Sequence, residues 1–166
     1  MGNQQQWPEM RLHPIGVIRT PFSEPAGTPI QPRMARGAEG AVIVFEQFAP
    51  ALEDLAGFER IWLIYWFHRA GAPRLRVRPF LDEQERGLFA TRAPCRPNPI
   101  GMSAVRLLAV EGNVLRVADV DVVDGTPLVD IKPYAPQFDC YEVGRTGWLE
   151  GACGEGRLAD DRFSRE

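Results

Sequence analysis

The sequence predicts a mainly β protein: one small domain whose short strands close into a barrel or sandwich. Three observations carry that expectation. The length of 166 residues suits one domain, and 45% hydrophobic content is enough for a core without a disulfide framework. Short apolar, β-branched runs recur along the chain, separated by connections rich in its 16 glycines and 15 prolines. No stretch carries the periodicity of a long amphipathic helix. Strands of this kind bury their apolar faces only by packing on one another.

Taken in order, Ile15-Gly16-Val17-Ile18 reads as the first strand, stopped at Thr20-Pro21. Ala41 to Phe45 is the second. A short helix follows, with Pro50 suited to its first turn, Leu52 and Leu55 on one face, and Gly57 to end it. Ile61 to Phe67 is aromatic and β-branched, and apolar enough to be buried on both faces. Gly87 to Thr91 is a candidate fourth strand. Ser103 to Val110 and Val114 to Val120 flank Glu111-Gly112-Asn113, a hairpin signal in which Gly and Asn supply positive φ. Leu128 to Ile131 adds another strand. The domain is thus expected over 13–151, between a poorly ordered N-terminus (1–12) and a charged C-terminal tail (152–166).

Nineteen Lys+Arg against 22 Asp+Glu give a net charge of −3, which excludes a generally basic nucleic-acid binder. Lys132 is the sole lysine. Across 74–96, however, Arg74, Arg76, Arg78, Arg86, Arg92 and Arg96 face only Asp82, Glu83 and Glu85, a local net of +3. Arg74, Arg76 and Arg78 alternate, so an extended segment presents them on one face, either to phosphates or to solvent. Cys95, Cys140 and Cys153 are odd in number and form no C-x-x-C pair, which argues against a disulfide scaffold or structural zinc. The polar start lacks a signal core, and no apolar run approaches the ~20 residues of a membrane span. A soluble, cytoplasmic protein with reduced thiols and no metal is expected.

Two constellations carry chemistry. Thr91-Arg92-Ala93-Pro94-Cys95-Arg96-Pro97-Asn98-Pro99-Ile100-Gly101 is stiffened by three prolines, each fixing its own φ and biasing the residue before it. Its arginines and Asn98 suit phosphate, carboxylate or a base edge. The second runs from Asp121 to Tyr134. Asp124-Gly125-Thr126-Pro127 has the composition of a turn, and Asp130 and Lys132 share a strand face where an ion pair can form. A calcium loop fails, because counting from Asp119 puts Asp124 where glycine is required. His13 and His68 are the only histidines, and no nucleotide-binding glycine motif opens a helix.

These residues resemble a known family. Phe89-Ala90-Thr91-Arg92-x-x-x-Arg96-Pro97-Asn98-Pro99-Ile100-Gly101-Met102-Ser103 is similar to the first signature of the TsaA-like (YaeB/TrmO) family. Asp121-x-x-Asp124-Gly125-Thr126-Pro127-x-x-Asp130-Ile131-Lys132-Pro133-Tyr134 resembles its second, and Ile15-Gly16-x-Ile18 its opening strand. The resemblance covers about residues 13–136. It implies a small β-barrel with one or two short helices, working as a homodimer, that uses S-adenosyl-L-methionine to methylate N6 of threonylcarbamoyladenosine beside the tRNA anticodon. Carried over residue by residue, it places the cofactor against Pro32, Arg33, Met34, His68, Arg69, Arg92, Met102, Asp124, Gly125, Thr126 and Pro127. Family members often have Pro-Arg-Gln where this chain has Pro32-Arg33-Met34.

For the reaction so implied, Asp130 and Tyr134 are the candidate bases, with Lys132 modulating them. Arg96 and Asn98 are the substrate-binding candidates, and Arg96 or Lys132 suits the threonyl carboxylate. Asp124 or Asp121 can complement a sulfonium charge. Two alternatives stand beside this reading: a sensor or interaction module that binds S-adenosyl-L-methionine without transfer, or a methyltransferase acting on another substrate.

Overall fold

Alternation of inward and outward side chains builds the structure. In the computed structural model, which describes residues 9–152 and 157–164, six strands close an antiparallel barrel in the order β1-β2-β7-β6-β3-β8. These are β1 (Gly16–Arg19), β2 (Glu39–Val44), β3 (Arg60–Trp66), β6 (Ile100–Glu111), β7 (Val114–Ala118) and β8 (Thr126–Pro133). Two short strands, β4 (Arg76–Val77) and β5 (Arg86–Gly87), form a separate ribbon. Ile18, Val42, Val44, Ile61, Leu63, Val105, Leu115, Val117 and Leu128 point inward and fill the barrel, each at most 1% exposed. Closure removes free sheet edges, so the barrel needs no covering helix.

The β6–β7 hairpin turns at Gly112, whose φ of +62° is the left-handed conformation the turn residues forecast. At the other end of β6, Gly101 packs under Tyr65 and Phe67; a Cβ there would run into both rings. Those rings meet edge to face, with centroids 5.3 Å apart.

Several expectations are corrected. β3 is buried on one face only, because its outward residues Trp62, Ile64 and Trp66 remain half-exposed beside exposed Ile100 and Met102. The proposed strand over 87–91 ends at Gly87 and continues as a 3-10 turn, Leu88–Ala90. The helix after β2 is 3-10 rather than α, and Pro50 lies inside its Glu46–Leu52 span instead of in the first turn. Asp54, at φ +64°, breaks it before a second short turn, Leu55–Gly57. The two α-helical turns are elsewhere: α1 (Pro32–Ala35) and α2 (Pro136–Asp139), each opened by a proline whose missing N–H costs nothing there.

The chain's C-terminal segment also departs from the reading of a loose charged end. Residues 157–164 lie against the body: Phe163 is 5% exposed and joins Val77, Leu88, Ala93 and Cys95 in a satellite core. Gly27 donates to the Ala159 carbonyl (2.8 Å), Ala159 donates to that of Thr28 (2.8 Å), and Gly71 donates to that of Phe163 (2.9 Å). One aromatic anchor suffices to hold a segment otherwise rich in charge. Residues 1–8, 153–156 and 165–166, including Cys153, lie outside the described residues. Among the described residues no helix is long and apolar enough to cross a membrane.

Candidate functional site

Strand direction gathers the sequence motifs. β1, β3 and β7 end, and β2, β6 and β8 begin, at the same end of the barrel. The connections there carry nearly every predicted cofactor residue. Pro32, Arg33 and Met34 sit in α1, His68 and Arg69 follow β3, and Arg92 lies in the loop before β6. Met102 is near the start of β6, and Asp124-Gly125-Thr126-Pro127 enters β8. Residues separated by up to a hundred positions are neighbours because alternate strands of an antiparallel barrel turn at one rim.

A cleft of about 730 Å³ opens beside this rim, and Pro32, Arg33, Arg92, Met102 and Tyr134 line it. Its wall also includes Arg36, Arg60, Trp62 and Asp119, none of which the sequence motifs single out. Arg92 Nη1 donates to Gln31 Oε1 (2.7 Å), tying the proline-rich loop to the residue before α1. The Trp62 and Tyr134 rings lie 5.6 Å apart at 53°, giving the cleft an aromatic side. Asp119, at φ +66°, accepts from the Gly37 amide (2.8 Å) and from Arg60 Nη2 (2.9 Å), with Arg106 at 3.8 Å. Burial opposes its charge, but the Gly37 amide and Arg60 guanidinium outweigh burial and hold the carboxyl below the ordinary carboxylate range.

A second cleft, about 520 Å³, is lined by His68 and Arg69 together with Glu24, Asp161 and Ser164. Arg69 pairs with Glu24 (2.8 Å) and donates to the Ser23 carbonyl (2.7 Å). His68 Nδ1 lies 3.4 Å from Thr126 Oγ1, which donates to the Val123 carbonyl (2.7 Å). Asp124 accepts from the Thr20 amide (3.0 Å) and from Arg19 (3.3 Å), so it fastens the exit of β1 to the turn. The predicted cofactor residues therefore share one barrel end but do not share one cleft: Pro32, Arg33, Arg92 and Met102 line the first, His68 and Arg69 the second, and Met34 and the 124–127 turn line neither.

Asp130 and Lys132 form the ion pair that their shared face forecast, at 2.8 Å. Register puts Lys132 opposite Trp62 and Asp130 opposite Ile64, on the outer face next to the first cleft. Arg96 is turned to the loop itself: Nη1 donates to the carbonyls of Thr91 (3.0 Å) and Ala93 (3.3 Å), and its guanidinium lies over Phe89. Asn98 is exposed. In the arginine-rich row, Arg76 meets Glu85 (3.4 Å), Arg78 meets Glu83 (3.9 Å) and Arg86 meets Asp82 (2.7 Å), so much of that charge is locally compensated.

One buried constellation escapes the sequence. Ser103 Oγ donates to Asp121 Oδ1 (2.6 Å), and Tyr65 OH lies 3.0 Å from the same Ser103 oxygen. Burial pushes the Asp121 carboxyl up to about 7, against the lowering pull of Ser103 and Arg92, and pushes the Tyr65 phenol up as well. Ser103 and Asp121 do belong to the two motifs, but Tyr65 reads in the sequence as one more aromatic of a core strand. Among the described residues no three His, Cys, Asp or Glu side chains converge as a metal-ligand set.

Comparison with known proteins gives this arrangement a family. The model of the tRNA-methyltransferase O N-terminal domain matches residues 17–140. The chain is 56% identical, over 137 residues, to a protein of Pyrococcus abyssi named as a probable S-adenosyl-L-methionine-binding protein; the match covers 82% of this chain and 74% of that one. It is 41% identical over 148 residues to the tRNA (adenine(37)-N6)-methyltransferase of Escherichia coli, covering 83% of this chain and 63% of the enzyme. The crystal structure of TrmO from Pseudomonas aeruginosa superimposes with a TM-score of 0.74 at 38% identity, over 89% of this chain and 64% of that chain. The chain thus spans rather less than two thirds of the length of the bacterial relatives, and the part it shares is the barrel with its rim of motif residues. On the matched span and these identities, the chain belongs to the tRNA-methyltransferase O family.

Proposed function

We propose that this protein transfers a methyl group from S-adenosyl-L-methionine to N6 of threonylcarbamoyladenosine beside the anticodon of tRNA. The observation that carries the reading is the convergence at one barrel end of α1, His68-Arg69, Arg92, Met102 and the 124–127 turn. The name of the E. coli relative supports the adenine acceptor, and that of the Pyrococcus relative supports the cofactor.

The residues present suit that cofactor. A cleft of about 730 Å³ is of the size that holds small ligands, and its donors match an amino-acid nucleoside. Arg33 and Arg92 can take the carboxylate of its methionyl end, and Pro32 and Met102 supply apolar contact. When bound, S-adenosyl-L-methionine supplies an electrophilic methyl group on a sulfonium. The protein's part is mainly to hold donor and acceptor in line and to keep water out. Trp62 and Tyr134 offer rings on which an unstacked base can lie. Lys132, paired with Asp130 and opposite Trp62 in the register, can meet the threonyl carboxylate, while Tyr134 can hydrogen-bond the acceptor. A second copy belongs to the reading: the outward residues Ile64, Trp66 and Ile100, which do not line the first cleft, leave apolar surface for a partner to cover. The place of action is the cytoplasm, where tRNA is found.

Incubation with methyl-labelled S-adenosyl-L-methionine and threonylcarbamoylated tRNA tests the proposal. Label on the modified adenosine supports it. Tight cofactor binding with no transfer would instead assign a sensor, and label on another acceptor would assign a different substrate.

A further inference from the structure

The C-terminal segment walls the second cleft. Residues 157–164 are fastened on two sides. Ala159 exchanges backbone bonds with Gly27 and Thr28 (both 2.8 Å), and Leu158 pairs with Pro29. Ser164 pairs with Ala70, and the Gly71 amide donates to the Phe163 carbonyl (2.9 Å). A Cβ on Gly71 would lie 2.9 Å from the Ser164 carbonyl, so glycine permits this approach. Phe163, edge-on to Phe80 with centroids 5.1 Å apart, anchors the segment. One strap thus joins the loop leading into α1 to the loop that carries His68 and Arg69. It places Asp161 and Ser164 in the wall of the cleft that His68 and Arg69 line. Ser164 Oγ is buried there with no hydrogen-bond partner among the described residues, which costs stability unless a bound group completes it. Among the described residues no hydrogen bond or ion pair engages the Asp161 carboxylate either.

The two clefts differ in charge. In the first, Arg92 is held by the neutral amide of Gln31, and the acid Asp119 is taken up by Arg60 and the Gly37 amide. That leaves Arg33 and Arg92 for an anion. In the second, Arg69 is neutralised by Glu24 and donates also to the Ser23 carbonyl, while Asp161 adds a further acid. An anionic group is received in the first cleft and opposed in the second, which suits hydrogen-bond donors. S-adenosyl-L-methionine has a carboxylate at one end and an uncharged nucleoside at the other, whose ribose offers two adjacent hydroxyls. A carboxylate beside a hydroxyl matches such a diol. An internal tRNA nucleotide lacks the pair, because its 3′ oxygen is esterified.

We propose that the second cleft receives the adenosyl half of the cofactor, with Asp161 and Ser164 binding its ribose hydroxyls. This rests on the methyl-transfer reading above and orients the cofactor, its methionyl end toward Arg33 and Arg92. The 124–127 turn adjoins the second cleft through the 3.4 Å approach of Thr126 Oγ1 to His68 Nδ1.

Calorimetry on the intact chain tests this with three ligands. They are S-adenosylhomocysteine, its 2′,3′-dideoxy analogue, and 5′-methylthioadenosine, which keeps the ribose but lacks the amino-acid end. None carries a sulfonium, so loss of a negative charge alone moves none of them. Asp161→Ala should weaken S-adenosylhomocysteine and 5′-methylthioadenosine alike, by about tenfold, and leave the dideoxy analogue within about twofold. Ser164→Ala should weaken the same two by about threefold, while the Tm of the free protein holds or rises because the lost hydroxyl has no partner in the fold. Arg92→Ala should weaken S-adenosylhomocysteine and spare 5′-methylthioadenosine. If Asp161→Ala weakens S-adenosylhomocysteine but spares 5′-methylthioadenosine, the amino-acid end occupies the second cleft and the proposal is overturned. Equal loss for the dideoxy analogue, or no loss for any ligand, also overturns it and leaves the methyl-transfer reading in place. A wild-type chain that binds no S-adenosylhomocysteine overturns both. Should Asp161→Ala fail to fold, Asp161→Asn and Ser164→Ala decide by the same comparison.

Discussion

Asp119 is the strut between α1's exit and the barrel, and replacing it should loosen the first cleft at a cost that can be worked out. Asp119→Ala removes the acceptor for the Gly37 amide (2.8 Å) and for Arg60 (2.9 Å). Hydrogen bonds involving a charged group contribute about 1.5–3 kcal/mol each. The Arg60 side chain is 37% exposed, so water replaces part of its bond, and the two together are worth about 2–3 kcal/mol. Alanine must also adopt φ +66°, a left-handed conformation that Asp and Asn tolerate and alanine pays about 1 kcal/mol to enter. The expected loss is about 3–4 kcal/mol, which lowers Tm by roughly 10 °C in a chain of this size. Asp119→Asn keeps the backbone conformation and an acceptor, and should lose only about half as much. Urea and thermal unfolding of the three proteins is the assay. The folded carboxyl lies below its unfolded value, so its contribution is present above about pH 4 and is lost as pH falls through the folded value. The gap between wild type and Asp119→Ala should therefore narrow in acid. A gap under about 0.5 kcal/mol at neutral pH, or an Asn variant as damaged as the Ala variant, would refute the reasoning.

Three further outcomes follow from the same structure. Gly101→Ala forces a Cβ into the Tyr65 and Phe67 rings, and should destabilise by about 1–3 kcal/mol in a denaturant titration while weakening the Tyr65–Ser103 contact. Phe163→Ala empties the satellite core over which the proline-rich loop is seated. A loss of about 3 kcal/mol is expected by unfolding, with faster amide exchange across residues 88–99. Arg92→Ala removes an exposed side chain, so unfolding should barely change, whereas calorimetry should find S-adenosyl-L-methionine binding about tenfold weaker or more.

The barrel was legible because its strands alternate and its hairpin turn is spelled out in Glu111-Gly112-Asn113. The Asp130–Lys132 pair followed from spacing alone, and the motif residues of the rim from likeness to a family. What stayed hidden was assembled by pairing across the chain. Arg60 and Asp119 stand 59 positions apart, and neither carries a local signal for the bond between them. Trp62 and Tyr134 become one wall only through the register of β3 with β8. The bonds of Arg96 to its own loop carry no sequence signal, though they have a definite reason: prolines 94, 97 and 99 strip the loop of amide donors, so its carbonyls draw on a side chain instead. Phe163 gives no signal in the sequence because a single aromatic in a charged stretch has no periodicity, although it is enough to anchor that stretch.

The methyl-transfer reading stands on the rim of motif residues holding S-adenosyl-L-methionine. Crystallisation with its demethylated product, S-adenosylhomocysteine, tests this most directly. Density is expected at the barrel end, against Pro32-Arg33, Arg92, Met102 and the 124–127 turn. Density confined to the arginine-rich ribbon of β4 and β5, or to the opposite end of the barrel, would contradict it.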